Sequence, residues 1–320
     1  MWRRRGALGP ARRLADIALR VPAEHLAELR QDIRYGLRML ARSPGFTAVA
    51  LISLTLGIGV ATSAFSELNG LVLRDVPGVA KPDQLIVLQA PASYPNYKRY
   101  RERSDLFSST LAYLAPAPFG VSFGGRTERI WGHLVTPSYF ATLGVRSALG
   151  RVFDPHQEQR GQAPTVVVSY RFWQNLLGSE PTAIGKALRI NGQPCTIIGV
   201  GPKDFLGASP MVYVADLWIP IWVDLRVAPE LANDVLERRD LARFHVIGRL
   251  RPGVPAARAE AELDTVARQL EQEFGDPDRN QRGRRVTLGA GGKMLPIRKQ
   301  DLPFLTGLFT LLGGLILLIA

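Results

Sequence analysis

The residues of this 320-residue sequence best equipped for chemistry are four histidines, one cysteine, and a glycine-rich run that carries a lysine. The run, LGAGGKML from Leu288 to Leu295, invites comparison with a phosphate-binding loop. Such a loop requires G-x-x-x-x-G-K-[ST]: backbone N–H groups cradle the phosphates, the lysine reaches the outer ones, and the hydroxyl holds Mg2+. Aligned on Gly292-Lys293, the first glycine position is Thr287 and the hydroxyl position is Met294. The motif fails twice, so no ATP or other cofactor is expected on this chain. The stretch reads instead as a flexible linker from a domain to a following segment.

The histidines, at 25, 133, 156 and 245, are scattered, and no pair has H-E-x-x-H or other metal-ligand spacing. His156 lies near Asp154 and Glu158, a weak cation site or, more simply, a solvated loop. No G-x-S-x-G elbow occurs, and Asp204, Asp216 and Asp224 form no constellation. Cys195 stands alone, which excludes an internal disulfide framework and a cysteine metal site; it reads as a small apolar strand residue. The sequence therefore points away from an enzyme. A hydrolase on an anchor would need a nucleophile–base pair or a metal cluster, and neither is legible.

The net charge of +12 raises nucleic-acid binding. Its distribution argues against it. Residues 1–45 hold ten Arg and four acids, so half of the excess lies in one seventh of the chain. No zinc-finger spacing, RNA-binding aromatic pair or heptad-linked basic helix is present.

The elements that must carry any function start with two apolar segments. From Ser43 to Ser66 there is no charged side chain, and the same holds from Leu302 to Ala320. At a rise of ~1.5 Å per residue the first reaches ~36 Å, enough for a hydrocarbon core of ~30 Å. A signal peptide is the rival, with Ala61-Thr62-Ser63-Ala64 as its cleavage region, but signal h-regions run ~7–15 residues behind a short n-region. Within the segment Ser53, Gly57 and Ala61 are spaced i, i+4, i+8, with Thr55, Gly59 and Ser63 as a second line. Small residues at four-residue intervals let helix backbones approach in lipid. The same residues are also simply common in membrane helices. Arg30, Arg34, Arg38 and Arg42 precede the span and Glu67 follows it, which puts the N-terminus inside the cytoplasm and the central region outside.

Leu26, Leu29, Ile33, Leu37 and Leu40 are spaced 3, 4, 4 and 3, one apolar helix face with the four arginines on its flank. Such a helix lies in the lipid headgroup layer with its arginines snorkelling to phosphates, or packs on a partner protein. Sequence leaves both open.

Between the apolar segments the pattern is α+β. Strands are expected at 84–89, 165–169, 187–190, 195–200, 244–250 and 285–288, and helices at 94–103, after Phe172, and at 256–274. Asn191-Gly192 marks a type I′ hairpin. Tyr213–Val223 reads as an edge strand, a subunit-facing surface, or ordinary core.

Three blocks carry a family resemblance: DIRYGLRMLARSPGFTAVALISLTLGIGVATSAFSELNGLVLR from Asp32, VTPSYFATLGVRSALGRVFDP from Val135, and APTVVVSYRFWQNLLGSEPTAIGKALRINGQPCTIIGVGPKDFLG from Ala163. In this order they resemble MacB/FtsX-type ABC transporter permeases, in particular the duplicated-orphan-permease branch, over nearly the whole chain from Asp32. The resemblance implies a bacterial inner-membrane protein. Residues 1–45 would form a cytoplasmic amphipathic region, 46–73 a first transmembrane helix, and 74–300 a periplasmic MacB-like core domain with mixed or antiparallel sheet. Residues 301–320 would begin a second transmembrane helix. It also implies a separate cytoplasmic ATPase, a permease dimer or second permease half, and transmission of motion to the periplasmic domain. Further spans expected of the family are missing, so the chain is expected to be a fragment or a truncated product. The alternative is a membrane-tethered periplasmic binding or scaffold protein without ATPase coupling.

Overall fold

Ser43-Pro44 divides the N-terminal helical region, because a residue before proline is pushed out of the helical conformation while proline itself suits a first helical position. Helix α1 (Arg30–Arg42) ends there and α2 (Pro44–Leu73) begins, at 108° to it. The computed structural model describes residues 30–32, 34–156, 163–208, 214–275, 285–294, 304 and 307. The chain divides into two units, 1–66 with 306–320, and 67–305. In the first unit, the Thr47 hydroxyl donates to the Leu40 and Ser43 carbonyls at 2.7 and 3.0 Å, which holds the bend. Among the described residues no single helix is long and apolar enough to cross a membrane; the bent pair 30–42 with 44–59 meets that test by length and composition.

The second unit is one ten-stranded sheet worked into two halves. Its first half takes β1 (Leu85–Leu88), α3 (Tyr94–Arg101), β2 (Phe107–Phe123), β9 (His245–Leu250), α6 (Ala256–Phe274) and β10 (Leu288–Ala290). The strands run antiparallel in the order β10-β1-β9-β2. Two β-α-β units thus interleave, the split arrangement of a ferredoxin-like fold. Ser93 caps α3 by accepting from the Asn96 N–H, and Tyr97 is fully buried. Ala259, Leu263 and Leu270 form the buried stripe of α6. Ile86 and Leu88 belong to one core cluster with Tyr97 and Leu263, whereas Leu85 and Val87 belong to another with Tyr139 and Phe140. Burial on both faces explains why β1 reads as an unbroken apolar run.

The second half adds β3 (Arg126–Val135), β4 (Leu149–Gly150), β5 (Thr165–Val168), β6 (Ala187–Ile190), β7 (Gln193–Val200) and β8 (Leu217–Pro220), with α4 (Tyr139–Leu143) and α5 (Tyr170–Leu176). The pairings β2-β3, β3-β8, β8-β5, β5-β7, β7-β6 and β6-β2 return to their start, so six strands close a ring. Its closure is short, Val121 with Ile190 and Ser122 with Arg189. Asn191, at φ 48° in the expected Asn-Gly turn, extends it. The Asn191 Oδ1 accepts from the Gly120 N–H at 2.8 Å and Nδ2 donates to the Val227 carbonyl at 2.9 Å.

Several sequence expectations are corrected here. The last strand lies at Leu288–Ala290 and not at 285–288, and the glycine-rich run is no linker, since it is β10 and the turn after it. Of Tyr213–Val223, Tyr213 lies outside the described residues; Leu217–Pro220 is an interior strand between β3 and β5 and is core, not an edge. The β2–β3 hairpin, the longest in the protein among the described residues, had no counterpart in the sequence reading.

Tyr113 on β2 lies between two histidine rings, His245 on β9 at 5.1 Å and His133 on β3 at 5.3 Å. Burial, with His245 beside it, pushes His133 down to about 3, and burial lowers His245 as well. Both therefore fold in the neutral form, while an unfolded histidine titrates near 6.5. Below that pH the unfolded chain binds more protons, so stability is complete above pH ~6.5 and is lost as pH falls toward 3. His133 alone should cost about 2 kcal/mol by pH 5. Urea unfolding of the full chain at pH 7.5, 6 and 5 checks this, in a window above carboxylate titration. A midpoint independent of pH there would contradict it.

Candidate functional site

The expected membrane-helix face sits on α2, and the structure separates its two lines. Gly57 is buried and Ser53 half-buried, whereas Thr55, Gly59 and Ser63 are exposed. A Cβ on Gly59 would meet nothing within 4 Å. Leu51, Ile52, Thr55, Leu56, Gly59 and Ser63 line an open apolar trough of about 670 Å3. The side chain of Ala61 lies outside the described residues. The two lines of small residues therefore differ in exposure on one helix: Gly57 is buried, whereas the Thr55–Gly59–Ser63 line is open. Gly57→Leu is expected to lower the unfolding free energy of the full chain in detergent by an amount on the order of 1 kcal/mol, and Gly59→Leu to leave it nearly unchanged. Equal effects would contradict that division.

The basic flank is placed as the periodicity requires. Arg30, Arg34, Arg38 and Arg42 are all exposed on α1. Leu26, Leu29 and Ile33 lie outside the described residues, but Leu37 and Leu40 are 62% and 42% exposed. The described part of the apolar face is thus uncovered by protein. The bend of 108° sets α1 roughly perpendicular to α2, so a vertical α2 would lay α1 along a surface with its arginines beside the apolar stripe. That combination suits a layer of anionic headgroups over hydrocarbon.

The base of the second unit holds a feature that sequence reasoning missed. The inbound chain after α2 and the outbound chain after β10 run antiparallel. Val76 N–H donates to the Gly292 carbonyl at 2.8 Å and Met294 N–H to the Arg74 carbonyl at 2.9 Å. Asp75 and Lys293 face each other across this ribbon, and their side chains pair at 2.6 Å. Only glycine fits at 292, where a Cβ would come within 2.6 Å of Pro82 atoms. The adjoining segment is fixed by Arg249 on β9. Its guanidinium donates to the carbonyls of Ala80, Lys81 and Thr142 and to the Gln84 side chain. Burial pulls the Arg249 pKa down; the partners that hold the cation are dipoles.

A groove of about 280 Å3 lies between α3, α6 and the approach to β10, lined by Tyr100, Arg239, Asp264, Arg268 and Phe274 among others. Burial, helped by Asp264, pushes the Tyr100 hydroxyl up to about 12. Arg239 stacks over the Phe274 ring at 3.9 Å and donates to the Asn96 side-chain oxygen. Asp264 accepts from the Val286 N–H at 3.0 Å and pairs with Arg268 at 3.4 Å.

Among the described residues no group of three His, Cys, Asp or Glu could hold a metal. His156 N–H donates to the Asp154 carboxylate in a turn, and Glu158 lies outside the described residues. Asp216 is occupied by Ser169 and Arg171, and Asp224 by Arg226; Asp204 is exposed. Cys195 is fully buried, and burial pushes its thiol up to about 11, away from the thiolate that reactivity requires.

Residues 47–266 match the family model of the MacB-like periplasmic core domain. The macrolide export ATP-binding/permease protein MacB of Burkholderia cenocepacia is 31% identical over 132 residues, 41% of this chain and 18% of that protein. The protein of the same name from Burkholderia thailandensis is 29% identical over 125 residues, 39% of this chain and 18% of that protein. The matched segment thus spans under a fifth of the length of these curated relatives. The periplasmic region of MacB from Actinobacillus actinomycetemcomitans superposes with a TM-score of 0.45 at 14% identity, covering 64% of this chain and 90% of that one. The extracellular domain of the ABC-type transporter YknZ from Gram-positive bacteria gives 0.43 at 14% identity, over 60% and 95%.

Proposed function

This chain belongs to the MacB-like periplasmic core domain family, and from that premise we propose that it is a permease component of a MacB-like ABC transporter in the bacterial inner membrane. The family supports the permease role itself. The finer reading is that α2 and the apolar segment 302–320 cross the bilayer and the domain from 74 to 300 stands in the periplasm. ATP hydrolysis by a separate cytoplasmic ATPase would then drive motion of that domain, for efflux or mechanotransmission, within a permease dimer or with a second permease half.

The single observation that carries the reading is the span of the family match, 47–266. It runs from the interior of α2 through most of α6, which supports reading that helix and the domain together. The α1–α2 bend supports a cytoplasmic start: four exposed arginines beside a bare apolar face suit the inner leaflet, where positive charge is retained. The failed Walker motif at 287–294 is consistent with ATP being bound by a partner.

Co-purification tests the coupling. The tagged full chain, expressed in its bacterial host and extracted in mild detergent, is expected to retain an ABC ATPase subunit. Recovery of a membrane-inserted chain with no ATPase and no second permease half would overturn the coupled reading. It would leave a tethered periplasmic scaffold.

A further inference from the structure

We infer that β10 and the ribbon at the base of the domain form a force-bearing latch, the first element to open when the two chain connections are pulled apart. The inference rests on the proposed reading only in assigning those connections to membrane segments.

The geometry carries it. The inbound strand 74–76 pairs with 292–294, and the same outbound chain continues as β10, paired antiparallel to β1 through Ile86–Ala290, Val87–Gly289 and Leu88–Leu288. Gly291 N–H donates to the Leu85 carbonyl and Gln89 N–H to the Thr287 carbonyl, both at 2.9 Å. A pull applied between residues just before 74 and just after 294 acts at the end of this ladder, perpendicular to the strands. Its hydrogen bonds are then loaded one after another, not together, because antiparallel bonds lie across the strand direction. The Met294–Arg74 backbone bond and the Asp75–Lys293 pair next to it are the first to bear load. The opposite flank of the latch is different in kind. Arg249 fixes 80–84 through three bonds, to the Ala80 and Lys81 carbonyls and the Gln84 side chain, so the inbound side stays and the outbound side peels.

Peeling has a defined consequence. Along β10 the amides turned from β1 are held by helix α6: Leu288 N–H donates to Glu260 at 2.9 Å and Val286 N–H to Asp264 at 3.0 Å. These two carboxylates, one helical turn apart, cover the sheet edge. Release of β10 breaks both bonds, exposes the β1 edge, and removes the Val286–Thr287 wall of the α3–α6 groove. A spread of the two connections is thereby converted into opening of a groove on the domain.

Optical-tweezers measurement on the full chain in detergent tests this, with handles on azido residues at positions 69 and 298. The expected trace has a reversible low-force event releasing residues 286–294, about 30 Å of chain at roughly 3.5 Å per residue, before the main unfolding. Asp75 and Lys293 face each other as a non-hydrogen-bonded antiparallel pair, whose spacing of ~4.5 Å accepts a disulfide. In the Cys195→Ala background, Asp75→Cys with Lys293→Cys is expected to abolish the early event on oxidation and restore it on reduction. Lys293→Glu, placing like charges together, is expected to lower its force. A single unfolding event in the unmodified chain, an early event that survives oxidation, or failure of the two cysteines to cross-link would overturn the latch. The trace is read in detergent, so it stands or falls independently of whether the flanking segments cross a bilayer, which accessibility mapping reads.

Discussion

Gly199→Ala is expected to be the most damaging single-methyl change in the domain, costing about 4 kcal/mol or more and leaving little folded protein. Gly199 lies on β7 where the chain of β4 crosses it, with Leu149 paired to Val200 and Gly150 to Gly199. A Cβ there would sit 2.0 Å from the Arg151 carbonyl oxygen and 2.9 Å from its carbon. No side-chain rotation relieves a collision with backbone, so β4 must detach. With it goes the Arg151 N–H bond to the Ile198 carbonyl, at 2.9 Å. Gly185→Ala is the comparison: its φ of 84° is strained for alanine, yet nothing lies within 4 Å, so its cost should be about 1 kcal/mol. Urea titration of both variants, followed by tryptophan fluorescence, checks the contrast. Equal midpoints would mean that the β4 crossing is not fixed.

The second large effect is expected at Arg249. Arg249→Ala should destabilise the domain by about 3 kcal/mol, because charge-assisted hydrogen bonds contribute about 1.5–3 kcal/mol each and partial solvent access repays some of the loss. Three backbone carbonyls, of Ala80, Lys81 and Thr142, lose their donor together. Arg249→Lys should recover less than half of that, since one ammonium cannot span a fork of acceptors on two segments. Hydrogen exchange should rise at Ala80, Val145 and Gln84, whose amides donate to the Leu143, Phe140 and Lys81 carbonyls around the cage. Unchanged exchange there in Arg249→Ala would show that the segment is held by other means.

Neither of these positions announces itself in the sequence, and the reason is physical. Elements that depend on local periodicity were legible. The apolar spacing of Leu263, Val266 and Leu270 defined α6 with both ends correct, at Ala256 and Phe274. Asn191-Gly192 fixed the β6–β7 hairpin through positive φ, and the unbroken Leu85–Leu88 run marked β1. Elements created by contacts distant in sequence were not. The β2–β3 hairpin is interrupted by Pro116 and Pro118 and ends in an exposed tip around Phe123, so its alternation is masked. Leu288-Gly-Ala has weak strand propensity of its own; it is a strand because β1 and two α6 carboxylates take its amides.

The candidate site divides the same way. The small-residue lines of α2 and the arginines of α1 are repeats at helical spacing and could be read directly, although not which line is packed. The Asp75–Lys293 ribbon joins residues more than 200 positions apart, and a lysine after two glycines looks like a loop until its partner strand is known. Arg249 bonds to backbone carbonyls, which carry no residue identity to recognise.

The central claim, a domain outside the cytoplasm tethered by membrane helices with a cytoplasmic start, is tested most directly by cysteine accessibility in intact cells. Single cysteines would be placed at Arg20 and at Glu128, the latter exposed near the β2–β3 tip, in the Cys195→Ala background. An impermeant maleimide should label position 128 in intact cells and position 20 only after permeabilisation. Labelling at 20, or protection at 128 until the cells are opened, would place the domain in the cytoplasm and contradict the account.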